Sequence, residues 1–487
     1  MNNPVITLAN FQALWPDLIV LLGALLVLAL DIPLRAQKDK AVLFAVSSFS
    51  LLAALAVLLI NWNAKMIDPF PGMLRADGLA NVAKLSLLLI GLMTLIISRG
   101  IAGSLGLLFG EYFALLLFAV AGMMIFASSS NLMLAFIALE TFSLAMYVLA
   151  GFNRRLRANR EAALKYFLIG AFAAAFLLFG IAVVYGASGT VKLDELSAVF
   201  ASLKPEDPRR NLLFAGLALI FVGLGFKVGL APFHLWAPDT YEGAPSPVTA
   251  FLSAGAKVAG FAALIRIGMA SPLNSPVMIS LISVLAVLTM TLGNLGALKQ
   301  EGLKRLMAYS SIAHSGYALV ALAGGSPAAP AAVMNYVFVY AFMNFCAFAL
   351  IISLEQGSHA AAEGRQVALS DLQGLGFERP LFAFCLAVCM FAMAGIPPTA
   401  GFVAKLNVFK AALDAGQTKL VVLAVLNSVI SAAYYLRVLV VLYMKPKADE
   451  TAVPAFSGLL MISSVICVLL LLVWGVLPGT LLAITAF

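Results

Sequence analysis

Five ionisable side chains sit deep inside long apolar runs. Glu140 lies in LMLAFIALETFSLAMYVLAG, Lys227 in GLALIFVGLGFKVGLAPFHLW, and Lys257 in VTAFLSAGAKVAGFAALIRI. His314 lies in RLMAYSSIAHSGYALV and Lys405 in GIPPTAGFVAKLNVFKAAL. A charge at the centre of a bilayer costs roughly 2.5–3.5 kcal/mol on insertion scales, so several in one chain need a reason. The chemistry these groups suit is proton carriage. A lysine amine in apolar surroundings gives up its proton more readily than in water, and a nearby carboxylate opposes the loss. Moving Glu140 towards or away from Lys227 would then load or unload a proton. The work is of the right size, because one charge crossing 100 mV corresponds to about 2.3 kcal/mol. Plainer readings stand beside this one. Glu140 and Lys227 could form a static ion pair, Lys257 and Lys405 could snorkel or hold a counter-ion, and His314 could be a hydrogen-bonded packing residue. Lys165 and Arg266 lie near the ends of their apolar runs and read as snorkelling.

Two of the lysines adjoin breaks. Ala231-Pro232 follows Lys227, and GIPPTAG, Gly395 to Gly401, precedes Lys405. Proline removes a backbone donor and clashes with the preceding turn. Broken backbone at membrane depth is tolerated where it faces protein or water, and paired breaks in corresponding halves of a transporter mark its pathway. Spans of roughly 20 apolar residues are expected near 14–32, 41–62, 77–98, 111–128, 131–152, 162–186, 211–231, 246–269, 276–298, 304–324, 330–354, 380–413, 418–443 and 456–482. The breaks fall in the seventh and twelfth. The fold class read here is an all-α polytopic membrane protein of about fourteen transmembrane helices. Two five-helix repeats, segments 4–8 and 9–13, are related by inversion, because an odd number of spans flips the second copy. This divides the chain into an N-terminal three-helix segment (1–110), a first five-helix repeat (111–270), a second (271–443) and a C-terminal helix (444–487). Residues 190–205 are amphipathic and suit the interface.

Composition agrees. Of 487 residues, 63% are hydrophobic and 11% charged, against about 25% charged in a soluble domain. The net charge of +8 comes without an aromatic-basic patch, which argues against nucleic acid. The cations instead sit mainly in short loops. One side holds Arg35, Lys38, Lys40, Arg99, Arg154, Arg155, Arg157, Arg160, Lys299, Lys304, Arg305, Arg365, Arg379, Lys445 and Lys447. The other holds Lys65, Arg75, Lys192, Lys204, Arg209, Arg210 and Lys419. The richer side is read as cytoplasmic, which puts both termini on the periplasmic side. The N-terminus shows no basic n-region and no small-residue cleavage site. Cys346, Cys385, Cys389 and Cys467 all fall in apolar segments and read as packing residues rather than metal or haem ligands.

The stretch FKVGLAPFHLWAPDTYEGAPSPVTAFLSAGAKVAGFAALIRI (226–267) resembles the core motif of the antiporter-like membrane subunits of respiratory complex I, the proton-translocating NADH:quinone oxidoreductase. ALETFSLAMYVLAG (138–151), LKRLMAYSSIAHSGYALVAL (303–322) and AGIPPTAGFVAKLNVFKAAL (394–413) are similar in order and spacing, so the resemblance spans the chain. YEGAPSPVTAFLS, with a lysine rather than a glutamate after the second break, is similar to the N type among these subunits. The resemblance implies proton translocation driven by quinone reduction elsewhere in the complex, with no redox centre in this chain. FMN, iron–sulfur clusters, NADH and quinone would be bound by other subunits, and no dinucleotide fingerprint follows a strand here. It implies that Glu140, Lys227, Lys257 and Lys405 are the functional charges of the fifth, seventh, eighth and twelfth helices. It moves Lys165, at the start of the sixth, from snorkelling to functional, and adds His314 on the tenth. It implies a bacterial inner membrane and neighbours of the M type and the small K type, within the lipid bilayer. The alternatives are a subunit of a multisubunit cation/proton antiporter and a structural spacer of the membrane arm.

Overall fold

A computed structural model describes residues 11–34, 40–63, 68–101, 107, 109–204, 206–270, 275–357, 366–446 and 458–487. Of the loop cations read for orientation, Arg35, Lys38, Lys65, Arg365 and Lys447 lie outside them. The described chain is helical, with extended backbone only in isolated bridges. Three helices come first: α1 (Trp15–Asp31), α2 (Ala41–Ile60) and α3 (Gly78–Ile101). The first repeat follows as α4 (Gly110–Ser128), α5 (Leu132–Ala150), α6 (Arg157–Ser188), the short α7 (Leu193–Ser202), α8 (Pro208–Val228), α9 (Trp236–Gly243) and α10 (Ser246–Met269). The second runs as α11 (Pro276–Leu298), α12 (Leu303–Leu322), α13 (Ala329–Gly357), α14 (Leu375–Glu378), α15 (Pro380–Ala394), α16 (Ala400–Asp414) and α17 (Thr418–Met444). Helices α18 (Gly458–Val476) and α19 (Pro478–Thr485) close the chain.

Among the described residues, eleven helices are long and apolar enough to cross a membrane. Helix α1 has 17 residues, α12 carries a polar stripe, and the twelfth expected span is divided between α15 and α16. Helices α10 and α13 are buried along their whole spans and form the centre. Most others bury one face and present Leu, Phe and Val outwards, as lipid-facing helices do. Helix α7 buries Leu193 and Leu196 and leaves Asp194 and Glu195 outside, the amphipathic pattern expected of 190–205. The Glu195 carboxyl is held below its ordinary range by the Thr190 hydroxyl and by Lys192.

Two matching sets of backbone hydrogen bonds stand at corresponding places in the expected repeats. Before α5, Leu132 N donates to Val191 O and Leu193 N to Ser130 O, both at 2.9 Å. Before α12, Leu303 N donates to Val367 O at 2.9 Å and Leu369 N to Glu301 O at 2.8 Å. In each repeat the residue opening the second helix is stitched to the segment following the third, on opposite sides of the bundle.

Three expectations need correction. The last segment, expected as one span over 456–482, breaks because Pro478 cannot continue α18 and instead opens α19. Two cations read as loop charges are buried. Lys40 donates to Asp31 and to Leu34 O, both at 2.9 Å. Lys304 donates to Ala244 O at 2.7 Å and lies 3.9 Å from Glu355, itself accepting from Ser246 at 2.6 Å. Arg266 does not snorkel. It is 4% exposed, its guanidinium grips Asp77 at 2.7 and 2.8 Å, and its Nε donates to Ala127 O at 3.1 Å. Burial alone would raise the Asp77 carboxyl, but the Arg266 hydrogen bonds and charge outweigh it and hold it below its ordinary range.

Candidate functional site

The first broken helix positions Lys227. Helix α8 ends at Gly229, whose φ of 74° is the left-handed cap that glycine takes without a Cβ penalty. Lys227 lies in the last turn, 2% exposed. Its ammonium donates to Ser143 Oγ at 2.7 Å and Tyr166 Oη at 3.3 Å. It also stands over the Phe142 ring, 4.5 Å from the centroid, a contact worth most where water is absent. Ser143 lies one turn beyond Glu140 on α5. Glu140 is half-buried, and its Oε1 has no hydrogen-bond partner among the described residues. The pair is therefore not the closed static bridge that the plain reading supposes. The Lys227 charge is still near enough to act on Glu140 electrostatically.

From Lys227 the polar groups continue towards the middle. A small cavity is lined by Lys227, Val228, Gly229, Trp236, Tyr241 and Lys257. Lys257, 4% exposed on α10, reaches α12, where it donates to Ser311 O and contacts Ser315 Oγ. Ser315 donates in turn to Val228 O, a carbonyl freed by the break after α8. The break thus supplies the acceptor that ties Lys257 to the end of the Lys227 helix. Lys257 has no carboxylate beside it among the described ion pairs, so desolvation is offset by hydroxyl and carbonyl dipoles and by the face of Tyr340, 5.2 Å from the centroid.

Helix α12 carries the chain of groups onward. Ser310, Ser311, His314 and Ser315 fall on one face at helical spacing. His314, 2% exposed, bonds Tyr336 Oη through Nδ1 at 2.7 Å and Tyr435 Oη through Nε2 at 3.0 Å. Ser310 and Tyr435 hydroxyls meet at 2.5 Å. Tyr317, one turn on, takes a hydrogen bond from Asn294 at 3.0 Å and presents its ring to Lys405, 4.7 Å from the centroid. Lys405, 5% exposed on α16, donates to Ala394 O at 2.9 Å and Ser428 Oγ at 3.0 Å. Ala394 O is a carbonyl freed by the second break. Gly395 (φ 81°) sits where a Cβ would meet the Lys405 stem at 2.7 Å, so this glycine serves both the turn and the lysine.

The structure therefore sets Lys227, Lys257, His314 and Lys405 as buried groups on α8, α10, α12 and α16, with the half-buried Glu140 on α5 beside the first of them. Lys165 stands apart. It is 42% exposed and bridges Glu161 at 2.8 Å and Asp239 of α9 at 2.7 Å. Sequence reasoning passed over Ser143, Tyr166, Ser311, Tyr336 and Tyr435. The serines beside His314 were legible as a polar stripe, whereas the tyrosines look like ordinary aromatics until the fold aims their hydroxyls inwards. It also passed over a buried pair in the N-terminal unit, Lys84 with Asp17 at 2.5 Å. Among the described residues no three His, Cys, Asp or Glu side chains gather as a metal cluster, and all four cysteines are buried and free.

Residues 129–431 match the family model described as NADH:quinone oxidoreductase/Mrp antiporter, TM, and residues 5–100 match NAD(P)H-quinone oxidoreductase subunit 2 N-terminal. The chain is 40% identical over 447 residues to NADH-quinone oxidoreductase subunit N of Trichlorobacter lovleyi, covering 91% of this chain and 89% of the relative. It is 36% identical to the subunit N of Chloroflexus aggregans, covering 99% and 98%. Among solved structures it is similar to a chain of respiratory complex I from Thermus thermophilus, with a TM-score of 0.79, 34% identity, and 96% and 98% coverage. A chain of the Mrp complex from Dietzia sp. superposes with a TM-score of 0.79 at 22% identity, with 98% and 96% coverage, and shares the fold.

Proposed function

This chain belongs to the NADH-quinone oxidoreductase subunit N family, the antiporter-like, proton-translocating membrane-arm subunits of complex I, and on that premise we propose that Glu140, Lys227, Lys257, His314 and Lys405 are the stations of its proton path. The observation carrying this reading is the pairing of breaks and lysines. Each helix break frees a carbonyl, Val228 O or Ala394 O, and each carbonyl is tied directly or through one serine to a buried lysine.

A proton enters from the cytoplasm, loads Lys257 by way of Lys227, passes along the α12 hydroxyls, His314 and Tyr435 to Lys405, and leaves on the outer side. Glu140 sets the proton affinity of Lys227. Its orphan oxygen and its half-exposed position on α5, between the outward-facing Ile137 and Leu144, suit a group that senses a neighbouring subunit. Lys165 acts at the cytoplasmic end. The neighbours are an M-type subunit and the small K-type subunit, in a bacterial inner membrane with both termini periplasmic. Redox cofactors and quinone belong to other subunits. The halves of the machine are 111–270 and 271–443, which the matching stitches before α5 and α12 support.

The test is Glu140→Gln, with Lys227→Ala and Lys405→Ala as companions, in sealed membrane vesicles oxidising NADH. The reading expects assembled complex with a lowered proton-to-electron ratio. A wild-type ratio in Glu140→Gln would sink it.

A further inference from the structure

The two breaks are built to one plan, and counting from them pairs residues that no sequence similarity pairs. Helices α8 and α15 both end in a left-handed glycine, Gly229 (φ 74°, ψ 40°) and Gly395 (φ 81°, ψ 44°). The cap hydrogen bonds correspond one for one. Gly229 N donates to Phe226 O and Gly395 N to Ala392 O, each at 3.1 Å. Leu230 N donates to Gly225 O at 2.7 Å, and Ile396 N to Phe391 O at 3.0 Å. Pro232 and Pro398 each stand three residues beyond the glycine. With that register, the tenth residue after Gly395 is Lys405 and the tenth after Gly229 is Asp239. With the breaks in the seventh and twelfth expected spans, an odd number apart, the second half-helices α9 and α16 are expected to leave them towards opposite sides.

Asp239 is also the most heavily engaged carboxylate at the inner end. Its Oδ2 takes Lys165 of α6 at 2.7 Å, and its Oδ1 takes Arg305 of α12 at 2.8 Å. Arg305 also holds Glu242 of α9 at 2.5 Å, and Lys165 holds Glu161 of α6 at 2.8 Å. These four groups are the charges that face Asp239. Helix α9 is thus clamped by cations from both repeats. Its end is pressed onto α6, where a Cβ at Gly243 would meet Ala158 O at 2.6 Å. The other flank of α9 presents Trp236, Ala237 and Tyr241 to the cavity between Lys227 and Lys257. Tyr241 Oη contacts Ser311 Oγ at 3.2 Å, on the residue whose carbonyl receives Lys257. Helix α9 is therefore the partition between the inner side and the buried lysines, and Asp239 is its latch.

We infer that Asp239 is the proton-accepting latch of the cytoplasmic inlet, the first repeat's counterpart of Lys405 at the outlet. The inference deepens the path proposed above and rests on it. Burial alone would raise the Asp239 carboxyl, but Lys165 and Arg305 outweigh it and hold it below its ordinary range, so the latch stays ionised while it is clamped. When the two contacts part, a proton from cytoplasmic water binds a carboxylate oxygen and neutralises it, which keeps them apart; α9 loosens from α6 and α12, and the cavity opens to the inner side. The proton then passes from the carboxyl through that cavity to the neutral Lys227 amine and from there to the Lys257 amine. Asp239 becomes a carboxylate again, and Lys165 and Arg305 close the partition. Opposite charges at the two corresponding positions follow from the task. A carboxylate ion-paired when empty closes behind a delivered proton, whereas an amine charged when loaded is held until its proton leaves.

The experiment uses the whole complex in vesicles, with Ala237→Cys as a reporter in the cavity and a membrane-impermeant maleimide applied from the cytoplasmic side. The four buried native cysteines set the baseline. Asp239→Asn, which mimics the neutral state, is expected to raise labelling of Ala237→Cys by about tenfold or more, within the range of ordinary allosteric couplings. It should lower proton pumping while the complex remains assembled, and Asp239→Glu should restore both. If Asp239→Asn fails to assemble, Lys165→Met with Arg305→Met removes the clamps instead and is expected to raise labelling in the same way. Unchanged labelling and pumping in Asp239→Asn, with pumping lost in Lys227→Ala, overturns the inlet assignment alone. Wild-type pumping in Lys227→Ala overturns the path beneath it.

Discussion

The two broken helices share one cap and one proline position, yet they charge different halves. The first carries Lys227 before its break and Asp239 after it. The second carries an apolar Met393 before its break and Lys405 after it. The surroundings diverge accordingly. Around the first break the polar groups face ionic partners at the inner end, Lys165, Arg305, Glu242 and, on the next helix, Lys304 with Glu355. Around the second, the partners of Lys405 among the described residues are a carbonyl, a serine and the face of Tyr317. A site rich in exchangeable ion pairs can pass between open and closed states at modest cost. A lone buried amine among dipoles must change its own charge to relax. On the path proposed above, the same backbone device serves a switchable entrance at the first break and a single terminal station at the second.

The strongest way to break this comparison is to remove the lysine beside each break. Lys405→Met and Lys227→Met should each slow proton translocation by about 100-fold, the scale of losing a positioned proton carrier. The measurement is the pH change in vesicles during NADH oxidation, and equal pumping in either variant would remove that break from the path. Glu140→Gln should cost less, about 5- to 10-fold, as expected of a coupling free energy near 1 kcal/mol rather than of a carrier. It should slow pumping without changing the amount of complex on a native gel. Arg266→Met tests the outer end of the first repeat, where the charges are static. It should destabilise by about 3 kcal/mol, the low end for breaking a buried pair, because Asp77 is 38% exposed. The readout is the midpoint of thermal unfolding of the purified complex, with the proton-to-electron ratio of the folded fraction unaltered. His314→Gln should have the smallest effect, about a twofold slowing, from roughly 0.5 kcal/mol of lost hydrogen bonding to Tyr336 and Tyr435, the low end for such bonds. A destabilised complex that pumps at the normal rate would make His314 a packing residue.

Much of this architecture was legible before any coordinates. Runs of about 20 apolar residues require lipid and helices, and glycine beside proline requires a break. What misled was depth. Arg266 and Lys304 lie near the ends of their segments, where a one-dimensional reading places water. In the bundle, α3 and the end of α13 cover those ends, so the same positions are buried and paired. The Lys84–Asp17 pair escaped for a related reason. Each residue is a single charge near the start of an apolar run, and only the packing of α1 and α3 against their shared neighbours α2 and α4 brings them to 2.5 Å.

By itself, the sequence determined the solvent, the class of fold, the two breaks and the identity of the buried charges. These follow from local composition, since the cost of a charge in lipid and the geometry of proline do not depend on distant partners. The tertiary structure alone decided the order of those charges and their company. Lys227 reaches a serine on α5, Lys257 is tied through α12 to the end of α8, and Asp239 is clamped from both repeats. Such contacts join residues up to about ninety positions apart, and their energies arise only when desolvated groups meet. No pattern along the chain encodes which hydroxyl or carbonyl will be within 3 Å of a given amine.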